Sequence, residues 1–360
     1  PLSITMTQDM KNIYVPGFSA DEFAVFNMDD VGKITFERAE TPGESGIDGL
    51  AGASSLALSP TGNHIYVTGE VEHALSIFER NPTTGMMTYL GMIEDGEGDV
   101  NGLEGANSVV VSPNGKFVYV SGFWDNSITV FTRDQVSGML SFEAVVTQDE
   151  AGVNGIYGVN SMTMSADGKS LYATGFWDGN LAVFSANPET GMLTYKNAFE
   201  DGVDGIDGLN RVSSVVVSAD GMSVYATGSS DDAIALFSRD VDTGELTYVA
   251  RYKNNIDGVS FMDAPFDVAV SPAGDYVYVV TNRSDALVVF TRNTMDGTLT
   301  YSAAHVNGME EVTGLDGASA LAVSTDGMFV YTASNGDNSA AVFRKNPADG
   351  SLSFQKSEQD

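Results

Sequence analysis

Residues 107–159 read NSVVVSPNGKFVYVSGFWDNSITVFTRDQVSGMLSFEAVVTQDEAGVNGIYGV and carry the pattern that the whole chain repeats. Four short runs alternate apolar and polar side chains and are rich in β-branched and aromatic residues. Turn signals such as Asn114-Gly115 and Ser137-Gly138 separate the runs. Alternation with a period of two, interrupted by such turns, is typical of an antiparallel meander. The stretch therefore predicts four strands.

Aromatic residues mark seven copies of this unit. A tyrosine recurs in the second run as Tyr14, Tyr66, Tyr119, Tyr172, Tyr225, Tyr278 and Tyr331. A phenylalanine recurs in the third run as Phe26, Phe78, Phe131, Phe184, Phe237, Phe290 and Phe343. An aromatic residue recurs in the fourth run as Phe36, Tyr89, Phe142, Tyr195, Tyr248, Tyr301 and Phe354. Because three independent series agree on the period, the chain is a sevenfold repeat.

A four-stranded sheet of about 53 residues that repeats seven times predicts an all-β fold, a seven-bladed β-propeller with four antiparallel strands per blade. We expect a single domain over residues 1–360, with blades at approximately 1–53, 54–106, 107–159, 160–212, 213–265, 266–318 and 319–360. The recurring aromatic side chains are expected to fill the space between neighbouring blades. No blade needs strands from both ends of the chain, so packing of blade one on blade seven should close the ring.

The sequences SPTGNHIYVTG (59–69), SPNGKFVYVSG (112–122) and SADGKSLYATG (165–175) resemble the YVTN-type repeat of seven-bladed propellers. This group includes the lactonase-like family of 6-phosphogluconolactonase-like and carboxymuconate-cyclase-like proteins. The resemblance covers the whole chain and implies the propeller fold. The matching residues build blades, and a fold does not determine a function.

The charge of the chain limits its partners. There are 49 acidic and 17 basic residues, which give a formal net charge of −32. Nucleic acid and anionic membrane surfaces are therefore poor partners. No apolar run approaches the roughly 18 residues of a membrane helix, so membrane insertion is not expected. The chain lacks cysteine and begins with Pro1, which favours an exported monomer at an extracellular, cell-surface or periplasmic location.

Four loops between blades share the pattern [Ile/Val]-[Asp/Asn]-Gly-[Leu/Ile], preceded by Gly in three of them and by Asp99 in the other, which places Asp48, Asn101, Asn154 and Asp207 at equivalent positions. These loops and those between the second and third strands should emerge on one face of the propeller, which we call the loop face. Short oxygen-bearing side chains beside glycine are typical of Asx turns. They are also typical ligands of Ca²⁺. Both interpretations stay open, and Ca²⁺ bound by these four residues is the one cofactor that the sequence indicates.

Departures from the repeat gather in blades three to six, and an asymmetric ligand requires an asymmetric site. Trp124 and Trp177, in equivalent loops of adjacent blades, predict a stacking platform for a sugar or another flat ligand, or else covers for neighbouring loops. Further predicted ligand-binding residues are Tyr157, Phe261, Phe266 and Arg283. Arg211 replaces a loop glycine, and Asp267 follows Phe266 at the expected channel mouth. We predict catalytic roles for both, Arg211 at a carboxylate or developing oxyanion and Asp267 as a base.

Together these features favour an exported acidic binding module, stabilised by calcium, which presents its loop face to a small molecule, a glycan or a protein. The alternative is a lactonase-like hydrolase or cyclase that acts on a lactone or a carboxylate sugar-acid type substrate at the channel mouth. Basic residues are scarce there, only Arg211 and Arg283, and this scarcity weighs against the enzyme. The sequence alone leaves open whether the protein is catalytic.

Overall fold

The structure is a computed structural model that describes residues 2–29 and 31–359. Seven separate four-stranded sheets contain all of its strands. Within the described ranges the only other regular element is a short 3-10 turn at Glu44–Gly46. The predicted all-β, seven-bladed propeller is confirmed. No helix in the described part of the chain is long and apolar enough to cross a membrane.

The strands follow the chain in order. Blade one contains β1 (Thr5–Met6), β2 (Asn12–Gly17), β3 (Glu22–Met28) and β4 (Ile34–Glu40). Blade two contains β5 (Ala53–Leu58), β6 (His64–Gly69), β7 (Ala74–Arg80) and β8 (Met87–Glu94). Blade three contains β9 (Ala106–Val111), β10 (Phe117–Gly122), β11 (Ser127–Arg133) and β12 (Leu140–Thr147). Blade four contains β13 (Val159–Met164), β14 (Ser170–Gly175), β15 (Asn180–Ala186) and β16 (Leu193–Glu200).

The last three blades repeat the arrangement. Blade five contains β17 (Val212–Val217), β18 (Ser223–Gly228), β19 (Ala233–Arg239) and β20 (Leu246–Lys253). Blade six contains β21 (Pro265–Val270), β22 (Tyr276–Thr281), β23 (Ala286–Arg292) and β24 (Leu299–Val306). Blade seven contains β25 (Ala318–Val323), β26 (Phe329–Ser334), β27 (Ser339–Lys345) and β28 (Leu352–Gln359).

Each sheet is built from four consecutive strands, so no strand is exchanged between blades. Side chains join blade seven to blade one instead. The Nζ of Lys356 donates to the carbonyl oxygen of Ile34 at 2.7 Å. The hydroxyl of Tyr331 donates to the carbonyl oxygen of Gly32 at 3.2 Å. The expectation that packing between the first and last blades closes the ring is confirmed.

The recurring aromatic side chains form the core between blades. The seven second-strand tyrosines are at most 1% exposed, and the third-strand phenylalanines are also buried. Tyr66 of blade two, for example, packs in one cluster with Val118 and Phe131 of blade three. Burial of a large aromatic side chain is among the strongest contributions to a core. The predicted role is confirmed for the second- and third-strand series. The fourth-strand aromatic residues are only partly buried against the phenylalanine of their own blade, as Phe142 is against Phe131, and Phe36 is 44% exposed.

Buried arginines at the ends of third strands connect neighbouring blades, which the sequence analysis did not foresee. Each donates from Nε to the tyrosine hydroxyl of the preceding blade. The pairs are Arg80–Tyr14 at 2.8 Å, Arg133–Tyr66 at 2.5 Å, Arg239–Tyr172 at 2.7 Å and Arg292–Tyr225 at 2.8 Å. A buried charge is tolerated because each guanidinium finds several partners.

Replacing Arg292 with Met should destabilise the fold. The guanidinium donates to Tyr225, to the carbonyl oxygen of Gly274 at 3.0 Å and to Ser223 at 2.9 Å, and it pairs with Asp220 at 2.9 Å. Loss of one partner of a buried pair costs about 3 kcal/mol in the free energy of unfolding, measured by urea denaturation.

The matched control for this prediction is Arg283→Met, because the Arg283 side chain is 72% exposed. A surface change of this kind shifts the free energy of unfolding by about 0.5 kcal/mol or less. Equal denaturation midpoints for the two variants would contradict the assigned role of the buried arginines.

Candidate functional site

The first strands of the blades line a central channel with a cavity of about 290 Å³ that opens on the loop face. Its wall contains a ring of equivalent positions, and five of the seven carry serine: Ser3, Ser55, Ser108, Ser161 and Ser214. The sixth blade carries Asp267 and the seventh Ala320. The channel therefore holds one carboxylate among hydroxyl groups, next to the ring of Phe266 on the same wall.

Asp267 is held by three hydrogen bonds. Its Oδ1 accepts from the Ser214 hydroxyl at 2.7 Å and from its neighbour's amide, Val268 N, at 2.8 Å. Its Oδ2 accepts from the amide of Leu321, in the next blade, at 2.9 Å. Burial raises the pKa of Asp267 above its ordinary value, although these hydrogen bonds oppose the rise.

The Oδ2 bond of Asp267 has counterparts in other blades, where the equivalent serine accepts the amide. Val109 donates to Ser55 at 3.4 Å and Val215 donates to Ser161 at 3.3 Å. Asp267 thus takes over a structural contact between blades while it also places a carboxylate in the channel. Its Oδ2 retains room for one more donor, such as a water or a substrate hydroxyl.

An aromatic cluster lies on the loop face between blades three and four. The rings of Phe123 and Phe176 are 6.3 Å apart, and each lies about 5 Å from the tryptophan that follows it, Trp124 and Trp177. Trp124 and Trp177 are 55% and 48% exposed. Two hydrophobic rings that remain half exposed form a surface on which a flat ligand can stack.

Arg211 extends this cluster from the next loop. Its guanidinium carbon lies 5.5 Å from the centre of the Phe176 ring and 5.7 Å from that of Trp177. Arg211 adopts the left-handed backbone conformation of the glycines that it replaces, with φ of 51°. No hydrogen bond or ion pair links it to Asp267 within the described residues. The two predicted catalytic residues therefore lie in different places: Arg211 contacts the aromatic cluster, and Asp267 belongs to the channel wall.

The remaining predicted ligand-binding residues separate into two places. The carbonyl oxygen of Tyr157 accepts the Trp177 amide at 3.1 Å, so Tyr157 lies beside the aromatic cluster, and its ring is 50% exposed. Phe261 lies in the loop between blades five and six and is partly exposed. Arg283 pairs with Asp263 at 3.8 Å on the surface, where such a pair contributes little. No contact in the described residues joins Phe261 or Arg283 to the aromatic cluster.

Glu70 is a candidate that the sequence analysis missed. It follows β6, whose last residue Gly69 pairs with Ala53, so Glu70 lies next to the start of a channel-lining strand. In the repeat it takes the position of Phe123 and Phe176. Burial raises the pKa of Glu70 to about 7, against a smaller opposing effect of His73. The signal in the sequence was a single charged residue at a position that is otherwise aromatic or polar and neutral.

The four predicted calcium ligands lie in four different loops. Asp48 and Asn101 each accept the amide of the next glycine, at 3.2 and 3.0 Å, and Asn154 accepts from Gln148 at 3.0 Å. Asp207 pairs with Arg251. The structure does not bring these four residues together, and the hydrogen bonds of Asp48, Asn101 and Asn154 stay within their own loops.

One carboxylate cluster includes a predicted ligand. Asp201, Asp207 and Asp231 each place an oxygen within 4.8 Å of the others. Asp201 accepts the amides of Gly208 and Leu209, and Asp231 accepts the amide of Asn210 at 2.9 Å. Burial, together with the charge of Asp231, raises the pKa of Asp201. Loop amides and Arg251 already satisfy much of this cluster, and Ca²⁺ binding stays a prediction.

Comparison with known proteins agrees with the propeller fold. The model of the family described as "Lactonase, 7-bladed beta-propeller" matches residues 3–198, 149–313 and 305–359. The chain belongs to this family. The resemblance inferred from the YVTN-type repeats is confirmed.

Individual proteins show the extent of the likeness. A 6-phosphogluconolactonase of Bacillus subtilis is 28% identical over 145 residues, and this match spans 40% of each protein. A Bacteroides fragilis protein, named as a candidate 6-phosphogluconolactonase, superposes with a TM-score of 0.76 at 19% identity over 99% of this chain and 94% of its own. The periplasmic gluconolactonase of Pseudomonas aeruginosa gives a TM-score of 0.68 at 20% identity over 86% of each chain.

These comparisons correct the functional prediction. A binding module was expected because basic residues are scarce at the mouth, and this expectation is wrong. The relatives by sequence are named lactonases, which favours the alternative, a lactonase-like hydrolase. The physical reason for the error is that ring opening requires one general base and donors for one developing oxyanion, which a few residues can supply, so a count of basic residues does not decide whether a site is catalytic.

Replacing Asp267 with Ser should stabilise the protein at neutral pH and not at acid pH. Since burial raises the pKa of Asp267 above its ordinary value of 3.8, the ionised carboxylate destabilises the folded state. This destabilisation is complete above the folded-state pKa and disappears as the pH falls toward 3.8. Serine retains an acceptor for Leu321, as Ser55 and Ser161 do for their partners.

The measurement is the thermal midpoint of the Asp267→Ser variant and of the parent at pH 8 and at pH 4. We expect a higher midpoint for the variant at pH 8 and a smaller difference at pH 4. Asp99→Ser, which removes an exposed carboxylate, controls for the change in net charge. A difference that does not change with pH would refute the raised pKa.

Proposed function

We propose that the protein hydrolyses the lactone ring of an uncharged sugar-acid lactone at the channel mouth on the loop face. The observation that carries the proposal is Glu70, a carboxyl group with a pKa of about 7 in the loop after β6, one residue beyond the Gly69–Ala53 pair, in a chain of the lactonase family. A carboxyl with such a pKa exchanges protons efficiently at neutral pH. It also has no side-chain hydrogen bond within the described residues, so the carboxylate is available to a water.

In the proposed reaction, Glu70 removes a proton from a water as the water oxygen attacks the lactone carbonyl carbon. The tetrahedral intermediate carries a negative charge on the former carbonyl oxygen. The ring C–O bond then breaks, and protonated Glu70 returns its proton to the departing alkoxide oxygen. The product is an open-chain hydroxy acid, and Glu70 ends in its initial state. We assign to the guanidinium of Arg211, which lies over the rings of Phe176 and Trp177, the positive charge that attracts the product carboxylate.

The aromatic cluster supports a sugar as substrate. The C–H faces of a sugar ring pack well on Trp124 and Trp177, while hydroxyl groups meet the serines and asparagines of the channel wall. The charge of the chain, −32, repels a phosphorylated substrate. The same field favours release of the product, which becomes an anion when the ring opens.

Three further predictions from the sequence remain proposals. Asp267 is the second candidate base, supported by its place in the channel and opposed by the three hydrogen bonds that occupy its oxygens. Ca²⁺ was predicted at Asp48, Asn101, Asn154 and Asp207, and of these only Asp207 belongs to a carboxylate cluster, with Asp201 and Asp231, where the ion would bind. Export from the cytoplasm would suit a chain without cysteine. None of these is required for the proposed role of Glu70.

Replacing Glu70 with Gln should lower kcat/KM for glucono-δ-lactone by about 100-fold or more, the range of general base catalysis. In the parent protein, log(kcat/KM) should rise with pH and level off above about 7, because only the ionised carboxylate accepts the proton. A pH-stat titration of the released acid, corrected for spontaneous hydrolysis, provides the measurement. The assay with 6-phosphoglucono-δ-lactone should give the lower kcat/KM of the two substrates.

Glu104→Gln is the control, because Glu104 is an exposed carboxylate in the loop that contacts Trp124. It should leave kcat/KM within about twofold of the parent, since no role at the reacting atoms is assigned to it. Full activity in the Glu70→Gln variant would refute Glu70 as the base. Hydrolysis no faster than the background for both lactones would refute the proposed function.

A further inference from the structure

Five loops between blades end in an amide that a side chain of the preceding blade accepts. The accepting residue stands directly before a third strand and has a left-handed backbone, with φ between 50° and 57°. Four of the pairs are Asp21–Gly52 at 2.8 Å, Asn126–Gly158 at 2.7 Å, Asp232–Ala264 at 3.0 Å and Asp285–Gly317 at 2.8 Å. In the fifth, between blades two and three, the Nδ1 of His73 accepts from the amide of Gly105 at 2.9 Å.

The acceptor of His73 differs from the other four in its response to pH. A histidine nitrogen that accepts a hydrogen bond carries no proton, so the contact requires the neutral imidazole with its hydrogen on Nε2. A protonated imidazole carries hydrogen on both nitrogens and cannot accept. Histidine side chains in general change charge between about pH 5 and 8. Carboxyl and amide groups retain an acceptor oxygen in every protonation state. Of the five contacts, only this one is lost when its acceptor takes up a proton.

The Gly105 contact supports Trp124 of the aromatic cluster. A Cβ added to Gly105 would lie 2.2 Å from Cδ1 of Trp124, so the indole ring packs directly on this glycine. The amide of Trp124 donates to the carbonyl oxygen of Glu104, and the amide of Phe123 donates to that of Gly105, both at 3.0 Å. Blade three thus binds this end of the loop from one blade, and His73 binds it from the other. Loss of the His73 bond leaves it attached to blade three alone.

Carboxylates surround this contact. Glu70 lies in the same loop as His73, and burial raises the pKa of Glu70 while the charge of His73 opposes the rise. Burial also raises the pKa of Asp125 in the equivalent loop of blade three, together with the charges of Asp95 and Glu104, and His73 again opposes the rise. The amide of Asp95 donates to the carbonyl oxygen of His73 at 3.0 Å. A protonated imidazole can therefore exchange the loop amide for a carboxylate that attracts it.

We propose that His73 is a positioning residue, which holds Trp124 in place through Gly105 when its imidazole is neutral and releases it when the imidazole is protonated. The aromatic cluster is then complete at neutral pH and loosened in acid. A sugar ring that stacks on Trp124 binds less tightly to the loosened cluster. This last consequence rests on the proposed lactonase function, whereas the movement of Trp124 does not.

The fluorescence of Trp124 reports the release. Trp124 and Trp177 are the only tryptophans of the chain, so a Trp177→Phe background isolates the signal. The emission maximum and the quenching by acrylamide are recorded from pH 8 to pH 5. We expect one transition in this range, with emission at longer wavelength and stronger quenching at pH 5, because the released indole ring is more exposed to water.

Two substitutions copy the counterparts of His73 in other blades. His73→Asn introduces the residue of blade three, Asn126, which accepts at every pH. It should keep the pH 8 emission and remove the transition. His73→Gly introduces the residue of blade four, Gly179, which has the same left-handed backbone, with φ of 66°, and no side-chain acceptor. It should give at pH 8 the emission that the parent background gives at pH 5.

Glu70→Gln separates the two candidate sources of a transition, because it leaves His73 in place and should retain the transition. The absence of a transition in the Trp177→Phe background would overturn the inference, and so would a transition of equal size after His73→Asn. The thermal midpoint reports whether His73→Gly folds. If it does not fold, the comparison with His73→Asn decides alone.

Steady-state kinetics with glucono-δ-lactone test the consequence for the substrate. Between pH 7.5 and pH 5.5 the KM of the parent should rise severalfold and that of His73→Asn should stay constant, while kcat falls in both as Glu70 takes up its proton. An equal rise of KM in both proteins would contradict the role of His73 in substrate binding. A fluorescence transition without lactone hydrolysis would refute only the proposed function, and hydrolysis without the transition would refute only the role of His73.

Discussion

The propeller depends on the burial of each blade against the next, because a single four-stranded sheet has no core of its own. Second and third strands are apolar on both faces and must be covered on both sides, which only a neighbouring blade can do. The second-strand tyrosines, the buried arginines and the buried apolar residues of the loops between blades, such as Ile47 and Leu50, all contribute to the packing of one blade on the next. Radial closure repeats it seven times and so removes the open faces that a linear stack would leave at its ends.

Function requires departures from this repetition, and they occur where stability depends on them least. The channel wall is an example. Ser55 and Ser161 each accept a backbone amide of the next blade, and in the sixth blade Asp267 accepts the equivalent amide. The contact between blades is kept while a carboxylate enters the channel. Glu70 likewise replaces an aromatic residue at the mouth, where the rest of blade two follows the repeat. A symmetric frame can thus carry an asymmetric site at small structural cost.

The fold could be predicted from the sequence because three aromatic series and the turn glycines repeat with one period. Loop hydrogen bonds follow the same repeat: Glu72, Asp125 and Asp231 occupy equivalent positions and each accepts a loop amide, as Asp125 does from Glu104 at 2.8 Å. Side-chain contacts between blades could not be predicted from the sequence, because residues such as Arg133 and Tyr66 lie 67 positions apart. The pKa of Glu70 escaped prediction because it is raised by burial, which depends on the folded structure and cannot be read from the adjacent residues.

The titration of the Glu70 carboxyl group tests the account most directly. The ¹³C NMR signal of its side-chain carboxyl carbon, in protein labelled at glutamate and assigned with the Glu70→Gln variant, reports the pKa without any assumption about substrate. If burial raises the pKa of Glu70 as described, the titration midpoint is about 7. A midpoint near 4.5, the ordinary value for glutamate, would show that the mouth does not hold a base suited to neutral pH, and would contradict the mechanism.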